Sequence, residues 1–270
     1  MMSSVQTDQY TKYKTGAEAR RAIRSGTWKG PTAGLAPGHV QANLVILPQT
    51  YAFDFLRFCL RNPKPCPVLD VTDPGSPHPN PYWAKDADLR TDLPRYWVYE
   101  RGEVVDELTD ITNHWKKDSV AFLIGCSFTF EAAMISAGLP IRHLEYGSNV
   151  PVFHTNRPCE PAGIFQGPLV VSMRPIPSRL VALAVKVTSR YPAVHGSPVH
   201  IGDPAGLGIS DLAKPDYGDA VPIHSNEIPV FWACGVTPQA VAQAIRLPWM
   251  IAHSPGHMFI TDRLNTELEA

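Results

Sequence analysis

Apolar residues in this chain come in short runs, each closed by Gly, Ser, Cys or Pro, and these runs alternate with stretches whose apolar positions recur at helical spacing. The runs VQANLVILP (40–48), VLDV (68–71), VAFLIG (120–125), GPLVVSMRP (167–175), VHIG (199–202), IPVFWA (228–233) and WMIAH (249–253) read as buried strands, too short for helices and bounded by turn formers. Residues 49–60 place Tyr51, Phe55 and Phe58 on one stripe, which predicts a helix with its aromatic face in the core. GAEARRAIRS (16–25) predicts a short basic helix, TFEAAMISAG (129–138) a helix after the 120–125 strand, and SRLVALAVKVTSRY (178–191) an amphipathic one. RYWVYERGEVVD (95–106) predicts a hairpin turning at Arg101-Gly102. Residues 1–14 are polar and expected to fray. Between about 144 and 196 the texture changes. We expect a small inserted α+β subdomain there, forming one wall of the site, with 1–143 and 197–270 making a discontinuous main α/β domain.

One stretch repeats. Shifted by 108 residues, VAFLIGCSFTFEAAMISAGLP (120–140) falls without a gap on IPVFWACGVTPQAVAQAIRLP (228–248). Cys126 meets Cys234, Thr129 meets Thr237, Ala132 meets Ala240 and Leu139-Pro140 meets Leu247-Pro248, while Glu131 meets the near-isosteric Gln239. Thr237 followed by Pro238 reads as a helix N-cap and first turn, and Thr129 as the matching cap. Each unit thus brings a cysteine and free backbone N–H groups to a helix N-terminus, a place that favours a substrate carboxylate. The expected arrangement has strands 120–125 and 228–233 in one sheet, related by approximate symmetry, with the cysteines at corresponding ends and one small anionic ligand between the units. A buried Gly-Cys-Ser turn also serves as a tight connection with no chemistry at all, since cysteine is among the most buried residue types.

Composition narrows the class. Proline is frequent, 27 in 270 residues, and is spread among the apolar runs, so it punctuates loops rather than marking disorder. Charged residues are 18%, below an average of about 25%, and the net charge of -1 argues against a nucleic-acid partner. Five cysteines, an odd number without a CxxC pair, make a poor disulfide framework and a poor zinc site, which suits a reducing cytoplasm. The start of the chain lacks a signal-peptide core and no apolar run is long enough to span a bilayer, so no membrane partner is expected.

The remaining candidates are polar residues beside apolar runs. His253 and His257 in HSPGH have zincin spacing, but Pro255 and Gly256 forbid the helix that spacing requires, so no metal is expected. His257 follows an apolar strand and is a candidate acid or base, as are Glu131 and Asp203, although an aspartate in HIGDP also suits a turn. A substrate carboxylate near Glu131 would raise its pKa, and Glu131→Gln would then spare folding and suppress turnover. Arg174, at the end of a predicted strand, suits bidentate carboxylate binding. Asn43, Ser127, Thr129, Asn156, His200, Cys234 and Thr237 complete the candidate binding set. Cys126 stands as a catalytic candidate, either a nucleophile forming a thioester or a thiol acid–base group. GDPAGLG is not GxGxxG, and neither a Walker A sequence nor GxSxG occurs, so no cofactor is expected.

QANLVILP, NPKPCP, GCSF with Glu131, NVPVFHTN, GPLVVSMRP, HGSPVHIGDP, VFWACGVTPQ and HSPGHMFITD, in this order from about residue 16 to 265, resemble the signatures of a long-uncharacterised hydro-lyase family that includes D-glutamate cyclase. The resemblance implies a three-layer α/β domain with a smaller inserted α+β domain. It also implies an enzyme that closes D-glutamate, or a related small dicarboxylate, to 5-oxo-D-proline with loss of water. It brings no catalytic residues of its own. Two other readings stay open: a cofactor-independent amino-acid racemase or epimerase using the paired cysteines, and a non-catalytic protein that binds a small metabolite. A homo-oligomer is compatible with all three.

Overall fold

The computed structural model describes residues 13–270, and the start expected to fray lies almost wholly outside them. The strands are β1 (His39–Pro48), β2 (Val68–Val71), β3 (Tyr96–Glu100), β4 (Glu103–Leu108), β5 (Ser119–Gly125), β6 (Val152–Pro158), β7 (Pro168–Pro177), β8 (His200–Ile201), β9 (Glu227–Ala233), β10 (Trp249–His253) and β11 (Phe259–Leu264). The helices are α1 (Gly16–Arg24), α2 (Gln49–Arg61), α3 (Phe128–Ser136), α4 (Arg142–Tyr146), α5 (Val181–Ser189) and α6 (Val236–Ala244). The helices and apolar strands expected from the pattern form. The hairpin turns at Arg101 and Gly102, both with positive φ (48° and 85°). No described helix is long and apolar enough to cross a membrane.

The chain adopts a mixed α/β fold built on two antiparallel sheets. The larger has the order β2-β5-β1-β10-β3-β4, with β11 also paired to β1. The smaller has the order β6-β7-β9-β8. β1 is apolar on both faces because both are covered. Val45 and Leu47 pack with Phe55 and Phe58 of α2 and Val241 and Ala242 of α6. Leu44 and Ile46, pointing the other way as alternation requires, pack with Ala84, Leu89 and Leu93 of the Pro-rich stretch. The smaller sheet follows the same plan. Ile176, Val230 and Trp232 face α3 and α5, while Val171, Met173 and Phe231 face Leu207, Ile209 and Val221 of a long loop. Each sheet therefore carries helices on one face and irregular chain on the other.

The duplication extends beyond the 108-residue repeat. Ala42 pairs with Gly125 and Pro48 with Ser119 across β1 and β5; Val171 pairs with Ala233 and Pro177 with Glu227 across β7 and β9. These are the same register in two sheets, with Cys126 and Cys234 one residue beyond the matching strand ends. Each outer neighbour also matches: Phe259 of β11 faces Ala42, and Phe153 of β6 faces Val171. β1 and β7 are both ten residues long, end in proline and lead into helices, α2 directly and α5 through a short 3-10 turn.

Two expectations change. β5 and β9 do not share a sheet: each pairs with its own long partner, so the symmetry relates two sheets rather than two strands of one. The smaller layer also does not stop at 196. β6, β7 and α5 fall within the expected insert, but the sheet is completed by β9, whose backbone groups supply the hydrogen bonds that β7 needs on its other edge, and by β8, which pairs with β9. The helices cross between the layers. α3 leaves β5 of the larger sheet and packs Phe130 and Met134 on the smaller one, whereas α6 leaves β9 of the smaller sheet and packs on the larger. Because both chains cross at the same level, the two strand-to-helix turns are brought together.

Candidate active site

At this crossing lies a small enclosed pocket. It is lined by Asn43, Cys126, Ser127, Phe128, Cys234 and Val236 from the two turns and β1, and by Asn149, Val150, Val152, Tyr217, Gly218 and the Pro255–Gly256–Met258 stretch around them. Its volume is about 30 Å³, room for roughly one water.

The two turns are built alike. The Cys126 N–H donates to Gln41 O at 3.1 Å, and the Cys234 N–H to Val170 O at 3.0 Å. Thr129 Oγ1 accepts from the Gln41 N–H (3.0 Å), as Thr237 Oγ1 does from the Val170 N–H (3.1 Å). Neither threonine is an N-cap. α3 starts at Phe128 and α6 at Val236, so both threonines sit inside the first turn, and their hydroxyls join the helix to the neighbouring strand instead. The Phe128 N–H is directed at the Cys126 sulfur and the Val236 N–H at the Cys234 sulfur. Burial nevertheless dominates: it pushes the Cys126 thiol far above its ordinary value and Cys234 up to about 11. Both are protonated thiols at neutral pH, and neither is a resting thiolate nucleophile.

Behind Ser127 stands a buried ionic cluster. Arg174 Nε donates to Glu131 Oε1 at 3.0 Å and Nη2 bonds the same oxygen. Nη2 also donates to Ser127 Oγ at 3.0 Å, and Nη1 to Ser172 Oγ at 3.2 Å. The guanidinium sits 5.5 Å from the Phe130 and Trp232 ring centroids, and His143 Nε2 lies 3.2 Å from Glu131 Oε1. Burial opposes ionisation of Glu131, but His143 and Arg174 outweigh it and hold the carboxyl at about 2. The groups facing Glu131 are the His143 ring and the Arg174 guanidinium, whereas the expected rise assumed a substrate carboxylate beside it. In the other turn Gln239 replaces the acid and donates from Nε2 to Tyr99 Oη at 2.9 Å. The cluster therefore exists in only one half.

A family model described as D-glutamate cyclase matches residues 120–262, a span that holds both turns. The chain belongs to the D-glutamate cyclase family. Proteins named "putative hydro-lyase" from Rubrobacter xylanophilus and Bacillus licheniformis are each 63% identical to it, over 94% and 91% of this chain and 97% and 93% of their own. One of the same name from Bordetella pertussis is 60% identical over 94% of this chain and 92% of its own. A solved nitrogen repressor-like protein from Methanococcus jannaschii aligns with 94% of this chain and 99% of its own at a TM-score of 0.39 and 10% identity, a likeness too weak to carry an argument.

In this D-glutamate cyclase family member the candidate residues divide into three groups. Asn43, Cys126, Ser127 and Cys234 line the pocket. Thr129, Thr237, Glu131 and Arg174 lie directly behind it and hold its turns. His257 is next to the wall residues Gly256 and Met258, with Nδ1 2.9 Å from Pro255 O and its pKa lowered by burial. The third group is elsewhere. Asp203 accepts from the Ala205 N–H and caps the short 3-10 turn at 204–207, His200 Nε2 is 2.7 Å from Asp203 O, and Asn156 lines a separate groove with Cys159 and Gln166. β8 runs away from Cys234 along β9, with Ile201 opposite Val230, and the turn reading of Asp203 is the one its geometry fits. HSPGH is a strand end followed by a turn, not a helix.

Two polar side chains of the pocket were not among the candidates. Asn149 brings a buried Oδ1 that has no hydrogen-bond partner, and Tyr217 brings a phenol 3.4 Å from His154 Nε2. Asn149 opens the quoted NVPVFHTN segment, so a polar residue leading an apolar run was the available signal.

Proposed function

We propose that the chain is a hydro-lyase that closes D-glutamate, or a related small dicarboxylate, to a lactam such as 5-oxo-D-proline. The observation that carries this reading is the pair of matched cysteines, each at a helix N-terminus, opening on one enclosed pocket in a member of this family.

The chemistry balances around two thiols. The substrate ammonium must lose two protons to become the lactam N–H, and one oxygen of the distal carboxylate must gain two to leave as water. Each protonated thiol gives one proton to the departing oxygen, and each sulfur, thereby deprotonated, takes one from the nitrogen, so both thiols are restored. The nitrogen attacks the carboxyl carbon, the C–N bond forms, and collapse of the tetrahedral oxyanion breaks the C–O bond. The N-termini of α3 and α6 offer positive potential to the oxyanion and to the spectator carboxylate. Ser127 supplies a hydroxyl donor, since its oxygen already accepts from Arg174. Glu131 and Arg174 are positioning residues in this scheme. Attack is intramolecular, so holding the substrate folded contributes much of the rate. No cofactor is needed at any step.

The test is D-glutamate in deuterated buffer, followed by mass spectrometry and NMR. Loss of water with the α-hydrogen retained supports the cyclase. Exchange of the α-hydrogen without water loss would favour the epimerase, for which facing cysteines are equally apt. A bound but unchanged substrate would leave a binding protein.

A further inference from the structure

A second and larger cavity, of about 450 Å³, is bounded by the loop 34–39, by α3 and by the segment 139–145. Small-molecule sites span ~300–1,000 Å³. One wall is the stripe Phe128, Glu131, Ala132 and Ile135 of α3, at the spacing that puts side chains on one helix face. Phe128 is shared with the cysteine pocket, and no cysteine lines the larger space.

The walls are mostly apolar, yet two buried acceptors stand in them. Gln41 is 3% exposed. Its amide nitrogen donates to Thr32 O at 2.9 Å and Leu35 O at 3.3 Å, which uses both hydrogens and fixes the orientation of the amide. Its Oε1 has no partner, and leaving such an atom unpaired is costly. Arg174 bonds Glu131 through Oε1, and His143 Nε2 lies 3.2 Å from the same oxygen, so neither group engages Oε2. Glu145, ion-paired to Arg142 at 3.1 Å, adds a second acidic group to the lining. The cavity thus sets a buried, unpaired amide oxygen beside a carboxylate in a mostly apolar setting, with the His39 ring, whose Nδ1 lies 3.3 Å from Ala36 O, also in the lining.

We propose that this cavity is a binding site for a small apolar primary amine. The ammonium donates to Gln41 Oε1 and Glu131 Oε2, and the apolar body packs on the α3 stripe. A carboxylate ligand would set a second negative charge against Glu131, and a plain hydrocarbon would leave Gln41 Oε1 unpaired. The site does not depend on the reaction proposed for the cysteine pocket.

Benzylamine and benzoate, equal in shape and opposite in charge, test this when titrated into the full chain by NMR at neutral pH. Benzylamine is expected to bind at least about tenfold more tightly, the scale of one charge-assisted hydrogen bond. Ala132→Phe fills the cavity and is expected to abolish the binding, with circular dichroism confirming the fold. Should that variant not fold, Ile135→Trp, on the 51% exposed side of the same stripe, is expected to weaken the binding instead. Equal binding of benzoate, no binding of benzylamine, or benzylamine binding undiminished in a folded filled variant would each overturn the proposal.

Discussion

Cys126 and Cys234 meet at one pocket although they follow strands of different sheets. The meeting depends on the crossing of α3 and α6, each of which starts on one sheet and packs on the other. If the two thiols act as an acid–base pair, neither is dispensable. Cys126→Ser and Cys234→Ser should each lower kcat by about 10²–10⁴-fold, the usual contribution of a positioned proton-transfer group. A thioester route makes a different forecast, in which only Cys126→Ser collapses. Steady-state kinetics on the two single variants separates the routes.

The raised thiols also set a chemical signature. Iodoacetamide reacts with thiolate, so Cys234, held near 11, should alkylate slowly at pH 8 and faster by about tenfold per pH unit until its pKa is approached. Cys126, pushed higher by its burial, should be slower still. Peptide mass mapping after timed alkylation measures both. Rapid labelling of either residue at pH 7 would show that the resting pocket holds a thiolate.

Glu131 makes stability depend on acid. Its carboxyl titrates near 2 in the folded chain against an ordinary 4.5. The stabilisation is therefore complete above about pH 4.5 and is lost as pH falls toward 2, because the unfolded chain binds the proton first. Glu131→Gln should flatten the stability profile in that window. It should also destabilise the protein at neutral pH, contrary to the expectation that it would spare folding, because Arg174 would be left buried without its counter-charge. Deleting one partner of such a pair costs about 3–5 kcal/mol, and the Gln oxygen should recover part of it by still accepting from the guanidinium. Urea melts of both proteins at pH 3 and pH 7 provide the check.

Local pattern made most of the elements legible, and the gapless repeat made the cysteine pair legible, because identity at Cys126/Cys234 and Thr129/Thr237 survives at a fixed offset. The relation of β1 to β7 was not visible. HVQANLVILP and PLVVSMRPIP share little beyond a final proline, and only the hydrogen-bond register equates them. Sheet membership of β9 was hidden for a related reason: strand pairing is a non-local choice that an apolar run does not encode. The low titration of Glu131 depends on His143 and Arg174, the latter 43 residues away, which charge type along the 120–140 segment does not reveal. Asp203 was a candidate acid or base and His200 a candidate binding residue because they stand in or just after an apolar run, and that run forms a two-residue edge strand that ends away from the crossing.

The matched threonines allow a direct test of the pseudo-symmetry. Thr129 and Thr237 make the same bonds to Gln41 and Val170, so Thr129→Val and Thr237→Val should cost similar amounts. Each leaves a buried backbone N–H unpaired, a penalty of about 1–3 kcal/mol, and each should lower Tm by a few degrees. A loss confined to one variant in differential scanning calorimetry would mean that the likeness of the two turns is geometric and not energetic.

Gly235 packs directly against Asn43 at the crossing, with no room for a Cβ. Asn43 Nδ2 donates to Ile124 O at 3.2 Å and Gly125 O at 3.0 Å, which fixes the amide of β1 against the first turn. A Cβ on Gly235 would collide with that same amide and stand 3.0 Å from Gly125 O. Gly235 is thus where the second turn is pressed against the first, and Ser127, its counterpart, has room for a side chain because it meets Arg174 instead. Gly235→Ala should destabilise by about 1–3 kcal/mol through overpacking, and it should also push the two cysteine turns apart, lowering kcat more than it raises KM. Asn43→Ser shortens the opposing side chain and should recover part of the stability of Gly235→Ala. A double-mutant cycle measures this as a coupling between the two positions. Strict additivity would mean that the clash is relieved by backbone movement, and that the distance between the two turns is not set by this contact.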